Sequence, residues 1–172
     1  KTEEFRNYDK LDGLQDNAFT IGAAIKNKNG VMYFGGINGL TEFHPDSIHI
    51  NYSVPKIVIT KFLYGGKKGM INAIKENLFT SEDKRLVLTH KQNNLYFEFT
   101  ALDYTVPEKN QYKYMLENLD PDWIYAGARR YVEYTDLRSG SYTFRVQGSN
   151  NNGVWNSDGA VLRLIIKPPP WL

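Results

Sequence analysis

The chain contains 172 residues with a mass of 19.8 kDa, a length that can bury a sizeable core without disulfides. Its 21 basic and 19 acidic side chains nearly cancel, which argues against a concentrated basic surface, and we expect no nucleic-acid partner. The absence of cysteine excludes disulfides, thiolate metal ligands and cysteine nucleophiles. It also favours a bacterial protein over a secreted eukaryotic module. We expect neither a signal peptide nor a transmembrane helix in these residues.

Residues 1–50 carry two Asn-Gly steps, Asn29-Gly30 and Asn38-Gly39. Asn-Gly is the preferred pair for two-residue type I′ hairpins, because both central residues need a positive φ. The sequence therefore predicts a tight antiparallel meander that turns at these four residues and ends at Pro45. The predicted strands are residues 19–28, 31–37 and 40–44.

From about residue 54 onward, the predicted strands are longer and more widely spaced. Leu95, Phe97 and Phe99 recur at every second position, a period that places one set of side chains on a core face. Seven such strands with turn signals between them predict an all-β, immunoglobulin/fibronectin III-like antiparallel sandwich. The one helix candidate, residues 70–79, is short, and we interpret it as an irregular excursion or an extra edge strand. The predicted strands are residues 55–64, 85–90, 94–102, 111–119, 131–135, 141–149 and 160–167.

Leu137, Gly140 and Tyr142 give a more specific structural signal. A Leu, a turn Gly and a Tyr at the start of an alternating strand have the order of a tyrosine corner, whose phenol bonds to the backbone just upstream. A buried Tyr needs such a partner for its hydroxyl. We therefore predict that Tyr142 is structural and that its hydroxyl bonds to the backbone between residues 136 and 139.

No group of residues has the pattern that catalysis requires. Asp120 and Asp122 flank a proline, which is typical of a turn and not of the paired carboxylates of a glycosidase. His44, His49 and His90 are scattered, so surface or linker roles are favoured over metal ligation. We expect no catalytic residue, no cofactor and no metal site, and the sequence leaves the ligand-binding residues undetermined.

Two stretches of the sequence resemble known families. The first consists of NLYFEFTALDY at 94–104, PE at 107–108, YKYMLE at 112–117, DW at 122–123, YTDL at 134–137, then Gly140, Tyr142, Phe144, Val146, Asn150, Gly153 and Trp155. Together these motifs resemble the three-Y (Y_Y_Y) domain of bacterial two-component regulators over about residues 55–167. Residues 29–45, NGVMYFGGINGLTEFHP, resemble a two-component-regulator propeller repeat, with Tyr33 in place of the usual Trp and Gly36 in place of the usual Thr.

These resemblances imply a domain organisation. Residues 1–50 would form a terminal β-propeller blade with its turns at Asn29-Gly30 and Asn38-Gly39. Residues 51–167 would form the three-Y sandwich, and residues 168–172 a membrane-proximal tail. A lone blade cannot bury both of its faces, so we expect the chain to be an excised part of a larger sensor.

The resemblance also implies a function. It is that of a non-catalytic, membrane-proximal periplasmic module in a hybrid histidine kinase of the inner membrane. The module would relay ligand-induced change from the propellers to a transmembrane helix through dimerisation. The expected partners are a second copy, the remaining propeller blades and the transmembrane helix. An oligosaccharide ligand would bind mainly to the propellers that this chain does not carry.

A second interpretation is a carbohydrate-binding or spacer β-sandwich of an extracellular enzyme. Trp123, Tyr125 and Trp155 invite it, because aromatic rings stack on pyranose faces. Trp123 and Trp155, however, match recurrent positions of the three-Y motif, which favours packing over ligand contact. A free-standing enzyme has little support from the sequence.

Overall fold

The structure, a computed structural model, describes residues 5–72 and 85–171. The chain divides into two compact units, residues 1–50 and 51–172. Nearly all the regular structure in the described residues is β. The described part of the chain contains no helix long and apolar enough to cross a membrane. Short 3-10 helices lie at Lys10–Asp12, Pro45–Ser47 and Pro107–Lys109.

The first unit contains a three-stranded antiparallel sheet in the order β1-β2-β3. Its strands are β1 (Ala24–Lys26), β2 (Met32–Gly36) and β3 (Gly39–Phe43). The predicted first strand, residues 19–28, is reduced to three residues because a turn interrupts it. In that turn the Ala23 N–H donates to the Thr20 carbonyl at 3.0 Å, and Gly22 takes a φ of +80°.

The first chain reversal, between β1 and β2, is organised by the Asn27 side chain. Its Oδ1 accepts the N–H groups of Asn29 at 2.9 Å and Val31 at 3.0 Å, and its carbonyl accepts the Gly30 N–H at 3.1 Å. Gly30 has a φ of +87°, whereas Asn29 is not among the residues with positive φ. The type I′ prediction is wrong here. Because Asn27 caps a longer loop, only the glycine enters the left-handed region.

The second reversal, between β2 and β3, is shifted by one residue from its predicted position. Gly36 pairs with Gly39, so the central residues are Ile37 and Asn38. Gly39 has a φ of +127°, and Asn38 is not among the residues with positive φ. The Asn38 N–H donates to Oε1 of Gln15 at 3.0 Å, a contact that helps to hold this different turn. The type I′ prediction is therefore wrong at Asn38-Gly39 as well.

The second unit consists of two packed sheets. Their described strand orders are β10-β7-β4-β5 and β6-β12-β11-β8-β9. These strands form the predicted immunoglobulin/fibronectin III-like sandwich. The strands are β4 (Lys56–Gly66), β5 (Gly69–Asn72), β6 (Arg85–Leu88), β7 (Asn94–Leu102), β8 (Tyr112–Glu117), β9 (Ile124–Gly127), β10 (Tyr131–Tyr134), β11 (Gly140–Ser149) and β12 (Trp155–Ile166).

Three features of the sandwich differ from the sequence prediction. Strand β6 pairs with β12 in parallel, so the sandwich is not wholly antiparallel. Strand β9 was not predicted, because its side chains are exposed or half-buried without alternation. Strand β12 begins at Trp155 and not at residue 160. Its first part is irregular, since Asn156 Oδ1 accepts the N–H groups of Asp158 and Gly159, and for this reason the sequence did not indicate a strand there.

The segment 70–79 lies only partly within the described residues. Its beginning belongs to β5, which pairs antiparallel with β4. Of the two interpretations of this segment, an irregular excursion and an extra edge strand, the described part matches the edge strand. Residues 73–79 lie outside the described residues.

The sandwich core lies between the inner faces of the two sheets. Alternate residues of β7, β8 and β11 supply half of its buried hydrophobic side chains, as the period of two requires. Complete burial of one such side chain contributes about 1.5–3 kcal/mol through the hydrophobic effect. The largest fully buried side chains are Tyr112, Phe62, Phe97, Phe99, Phe144, Leu88, Leu95, Leu116, Leu162, Leu164, Ile166 and Val146.

Candidate functional site

The two aspartates considered for catalysis are hydrogen-bond acceptors in turns. Oδ2 of Asp120 accepts the Leu116 N–H and the Tyr134 hydroxyl, each at 2.7 Å. Burial, together with the hydrogen bond to Asp120, raises the pKa of the Tyr134 hydroxyl, so this phenol stays protonated. Asp122 accepts the N–H of its neighbour Trp123 at 2.7 Å. Asp120 therefore joins the end of β8 to β10.

Of the three histidines considered as metal ligands, His44 and His90 contact different neighbours. His44 accepts a backbone N–H through Nδ1 at 3.2 Å, so its Nε2–H is available to the Asn29 carbonyl at 3.1 Å. His49 is exposed. The ring of His90 lies edge-on to Trp171 with the centroids 5.5 Å apart. Among the described residues, no group of three or more metal-ligating side chains is present.

The three residues of the predicted tyrosine corner lie together. Tyr142 is buried, and its hydroxyl donates to the Arg138 carbonyl at 2.9 Å. Leu137 is also buried, and its N–H donates to the Asn93 carbonyl at 3.0 Å. Gly140 begins β11 against the Tyr142 ring, where a Cβ would make ordinary contact at 3.8 Å. This geometry is that of a structural corner.

Asn150, in the loop between β11 and β12, is fully buried and uses its whole amide. Its Nδ2 donates to the carbonyls of Asn51 at 2.7 Å and Ser53 at 2.9 Å. Its Oδ1 accepts the N–H groups of Asn152 at 2.9 Å and Val154 at 3.0 Å. A primary amide offers two donors and an acceptor oxygen with two lone pairs, so this side chain is fully satisfied.

Further bonds attach residues 51–55, the linker segment, to the same part of the sandwich. The Asn51 N–H donates to Oδ1 of Asn152 at 2.8 Å. The Asn156 side chain donates to the Pro55 carbonyl at 2.8 Å. We call this set of bonds, with Asn150 at its centre, the asparagine clamp. It holds the linker segment against the start of β12.

Strand β12 connects the asparagine clamp to the other end of the sandwich. It runs from Trp155 to Ile166, and the next residue, Lys167, donates its N–H to the Leu88 carbonyl at 2.9 Å. The sequence analysis used Asn150 and Gly153 as positions of the three-Y motif and did not predict their contact with the linker segment. Three consecutive asparagines were the available signal, because buried amides commonly bond several backbone groups at once.

Lys113 lies within a group of three aromatic rings on the outer face of the five-stranded sheet. Its Nζ is 5.1 Å from the ring centroid of Trp123, 5.7 Å from that of Tyr125 and 5.2 Å from that of Trp155. Lys113 and the two Trp residues are half-buried, and Tyr125 is 72% exposed. Among the described residues, no carboxylate lies within ion-pair distance of Lys113. These four residues are the Lys113 cluster. The sequence analysis found its three aromatic members but missed Lys113.

The outer face of the four-stranded sheet carries a different, shallow groove. Tyr96 and Tyr131 stack with their centroids 6.2 Å apart, and the Tyr96 hydroxyl donates to Glu98 at 2.8 Å. Burial and this hydrogen bond raise the pKa of Tyr96. Lys61 pairs with the same Glu98 oxygen at 3.7 Å. The groove is lined by Thr60, Tyr96, Glu98, Phe99, Thr100, Arg130 and Tyr131.

An immunoglobulin-like sandwich whose polar side chains mainly fasten its own loops and strands is typical of a binding or signalling module. Residues 103–167 match the model of the Y_Y_Y domain family. The match covers β8 to β12 and includes the tyrosine corner and the Lys113 cluster.

The chain is similar to a histidine kinase and to extracellular domains of hybrid two-component systems. The chain is 29% identical over 177 residues to histidine kinase P4 of Formosa agariphila, covering 99% of this chain and 12% of that protein. It is 31% identical to the extracellular domain of a hybrid two-component system from B. thetaiotaomicron, with a TM-score of 0.77, covering 94% of this chain and 22% of that one. A further extracellular domain from that organism shares the fold at 23% identity and a TM-score of 0.56, over 86% of this chain and 20% of that one. The chain thus spans between 12% and 22% of the length of these relatives.

Proposed function

We propose that this chain is the non-catalytic, membrane-proximal periplasmic module of a hybrid histidine-kinase sensor in the inner membrane. Its role is to relay a ligand-induced change from propellers to a transmembrane helix. The relatives support this proposal, because one is a histidine kinase and another is the extracellular domain of a hybrid two-component system. They favour it over the carbohydrate-binding or spacer sandwich of an extracellular enzyme.

The observation that carries the relay is the asparagine clamp. The linker segment, through which the preceding part of the chain reaches the sandwich, is bonded to the loop from which β12 starts. Strand β12 lies between β6 and β11, and it ends near the C-terminal residues 168–172. A displacement of the linker segment therefore acts directly on the strand that leads out of the sandwich. A hydrogen-bonded sheet is stiff, so it transmits such a displacement with little loss.

The first unit is proposed to be the last blade of a propeller. Its three-stranded antiparallel meander is consistent with one, and several of its apolar side chains are exposed, among them Ile21, Ile25 and Ile37. Blades bury such faces against neighbouring blades. The remaining blades, the transmembrane helix and a second copy are the proposed partners, and the proposed oligosaccharide ligand binds mainly to the other blades. A symmetric pair of copies couples two transmembrane helices.

The relay is tested by Asn150→Ala in the full-length sensor that carries this chain, with a transcriptional reporter as the readout. The substitution removes the bonds from Asn150 to Asn51 and Ser53. We expect the ratio of induced to uninduced reporter signal to fall at unchanged membrane abundance. Tyr142→Phe is the control, because it also removes a buried hydrogen bond, but near the opposite end of β11. A full induction ratio in Asn150→Ala would refute the relay through the clamp, as would an equal loss in Tyr142→Phe.

A further inference from the structure

The outer face of the four-stranded sheet carries a groove at the point where β10 begins. Its volume is about 380 Å³, within the range of roughly 300–1,000 Å³ that is usual for small-molecule sites. It is lined by Glu98 and Thr100 of β7, by Thr60 of β4, and by Arg130 and Tyr131 where β10 starts. Because β7 lies between β4 and β10, its two side chains lie in the middle of the groove. The groove is therefore built on three adjacent strands and not on a loop.

A β-bulge in β4 adds a hydroxyl group to this lining. The register of β4 with β7 shifts between Ile59 and Lys61, so Thr60 is an extra residue in β4. Ile59 stays buried in the core, and Lys61 stays opposite Glu98. Thr60 is exposed and lines the groove. Bulges are frequent beside active sites, where they redirect a side chain. Here the bulge lets two consecutive residues, Thr60 and Lys61, lie on the outer face, where regular alternation permits only one.

Tyr131 supplies an aromatic surface that is already held in position. Its ring stacks with the ring of Tyr96, with the planes 21° from parallel, and the Arg129 guanidinium lies 5.7 Å from its centroid. Arg129 is held in turn, because it donates to the Tyr114 hydroxyl at 2.9 Å. With these neighbours in place, Tyr131 is still 50% exposed. A ring fixed in this way loses little freedom when a ligand binds to it.

The polar groups beside this ring include both donors and acceptors. Oε1 of Glu98 accepts the Tyr96 hydroxyl at 2.8 Å and pairs with Lys61 at 3.7 Å, so Oε2 is the oxygen that can accept from a ligand. The hydroxyls of Thr60 and Thr100 can each donate and accept. Sugar hydroxyls have the same double capacity, so they find partners of both kinds here. An anionic ligand is disfavoured, because it would meet the Glu98 carboxylate.

We propose that this groove binds a neutral saccharide. One pyranose ring lies with its C–H face on the ring of Tyr131, since an aromatic face carries negative potential and the C–H groups carry weak positive potential. Its hydroxyls bond to Glu98 and to the two threonines, and Arg130 donates to them from the side. The inference goes beyond the proposed relay. None of these residues belongs to the asparagine clamp, so failure of either proposal leaves the other in place.

The test uses native gels that contain a dissolved neutral polysaccharide, in which a bound protein is retarded. The probes are laminarin, galactomannan and hydroxyethylcellulose, and serum albumin in the same gels corrects for viscosity. We expect the 172-residue chain to be retarded relative to albumin by at least one of these polymers. No retardation by any of them would overturn the proposal.

Substitutions then locate the binding surface. Tyr131→Ala and Thr100→Val should each weaken binding about twofold to tenfold, the scale of one aromatic contact or one hydrogen bond. The matched controls lie on the other sheet. Tyr125→Ala, at an exposed tyrosine, and Thr143→Val, at a half-buried threonine, should leave binding unchanged. Full binding by both Tyr131→Ala and Thr100→Val, or an equal loss in the controls, would overturn the assignment.

The carboxylate contact has a test of its own. Glu98→Gln should weaken binding by about tenfold, because a hydrogen bond to a carboxylate is stronger than one to an amide. The amide oxygen still accepts the Tyr96 hydroxyl, so the stacked tyrosines keep their arrangement. Glu133→Gln changes an exposed carboxylate of the same sheet that does not line the groove, and it should leave binding unchanged. Equal binding by the two variants would refute the contact with Glu98.

Salt dependence separates a neutral sugar from a charged ligand. Calorimetric titrations use laminarihexaose, mannohexaose and cellohexaose at about 0.05 M and about 0.5 M salt. A hexasaccharide that binds should have dissociation constants within about twofold at the two concentrations, because salt screens only charged contacts. Retardation by polygalacturonate alone, with none of these hexasaccharides bound, would assign the groove to an acidic polymer and overturn the proposal.

Discussion

The ring of Phe97 stacks on the ring of Phe144, with the centroids 3.9 Å apart and the planes 12° from parallel. Phe97 lies on β7 and Phe144 on β11, so this contact joins the two sheets of the sandwich. Both side chains are completely buried. The pair therefore lies at the centre of the core that holds the two sheets together.

The first prediction concerns the stability that this contact provides. Phe144→Ala should lower the free energy of unfolding by about 3–5 kcal/mol, because a buried aromatic ring is replaced by a cavity. Guanidinium chloride denaturation measures the change. Tyr104→Ala, at a position that is 79% exposed, is the control and should stay within about 0.5 kcal/mol.

A double-mutant cycle isolates the contact between the two rings. Phe97→Leu and Phe144→Leu, alone and together, should give a coupling of about 0.5–1.5 kcal/mol, the usual value for an aromatic pair. Additive effects would show that burial of the two rings, and not their stacking, accounts for the stability. Leu is used because it retains enough core volume for all three proteins to fold.

Much of the sandwich is predictable from the sequence because its period of two is strong. Phe97, Phe99 and Phe144 lie at alternate positions, and each is buried as that period requires. The parts that were not predicted lack such a signal. Strand β9 is an edge strand without alternation, and the pairing of β6 with β12 is parallel and joins residues distant in sequence.

The asparagine clamp and the Lys113 cluster could not be predicted for a related reason. Asn51 and Asn150 are almost a hundred positions apart, so only the folded chain brings the two residues together. Lys113 lies on the outer face of its strand, where a solvated lysine is expected. Its aromatic neighbours depend on the register of β8 with β9, which the sequence does not show. The position of Asn38 in its turn was predicted wrongly, because its N–H donates to Gln15, a residue outside the local sequence.

A second prediction concerns the tyrosine corner. Tyr142→Phe should lower the free energy of unfolding by about 1 kcal/mol or somewhat more, because the Arg138 carbonyl loses the hydroxyl that donates to it. Tyr104→Phe is the matched control, since Tyr104 is 79% exposed. Equal stabilities of Tyr142→Phe and the unsubstituted protein in urea denaturation would contradict a stabilising role for this bond.

A third prediction concerns the asparagine clamp. Asn150→Ala removes bonds to two backbone carbonyls and two backbone N–H groups, and it should cost about 2–4 kcal/mol because several buried groups lose their partners. Asn152→Ala removes one bond to Asn51 and should cost less. Amide hydrogen exchange should rise in residues 51–55 in both variants, and more in Asn150→Ala. Unchanged exchange there would mean that the clamp does not hold the linker segment.

A fourth prediction follows from the buried phenol of Tyr134. Burial and the hydrogen bond to Asp120 raise its pKa above the ordinary value of 10.0. The unfolded chain therefore releases this proton near pH 10 while the folded chain retains it. The free energy of unfolding should fall as the pH rises above about 10, by up to roughly 1.4 kcal/mol per pH unit from this group.

Tyr134→Phe separates this contribution from those of other groups that titrate at alkaline pH. Urea denaturation of both proteins between about pH 9 and 11 should show a shallower decline in the variant. Tyr104→Phe should retain the full decline, because Tyr104 is 79% exposed. Parallel declines in the unsubstituted protein and Tyr134→Phe would rule out a Tyr134 pKa that is raised in the folded state.

The last prediction concerns self-association through the first unit. Ile21 is fully exposed and Ile37 is 87% exposed, which is unusual for two isoleucines in one small sheet unit. Apolar surface left in water forfeits about 25 cal/mol per Å², so an uncovered patch of a few hundred Å² favours association by several kcal/mol.

Sedimentation of the chain should therefore show species heavier than 19.8 kDa as concentration rises. The pair of changes Ile21→Ser and Ile37→Ser should shift the distribution towards the single chain. Val87→Ser, at a half-exposed position of the sandwich, should leave it unchanged. If the unsubstituted chain stays at the mass of one copy at every concentration, these isoleucines do not drive association.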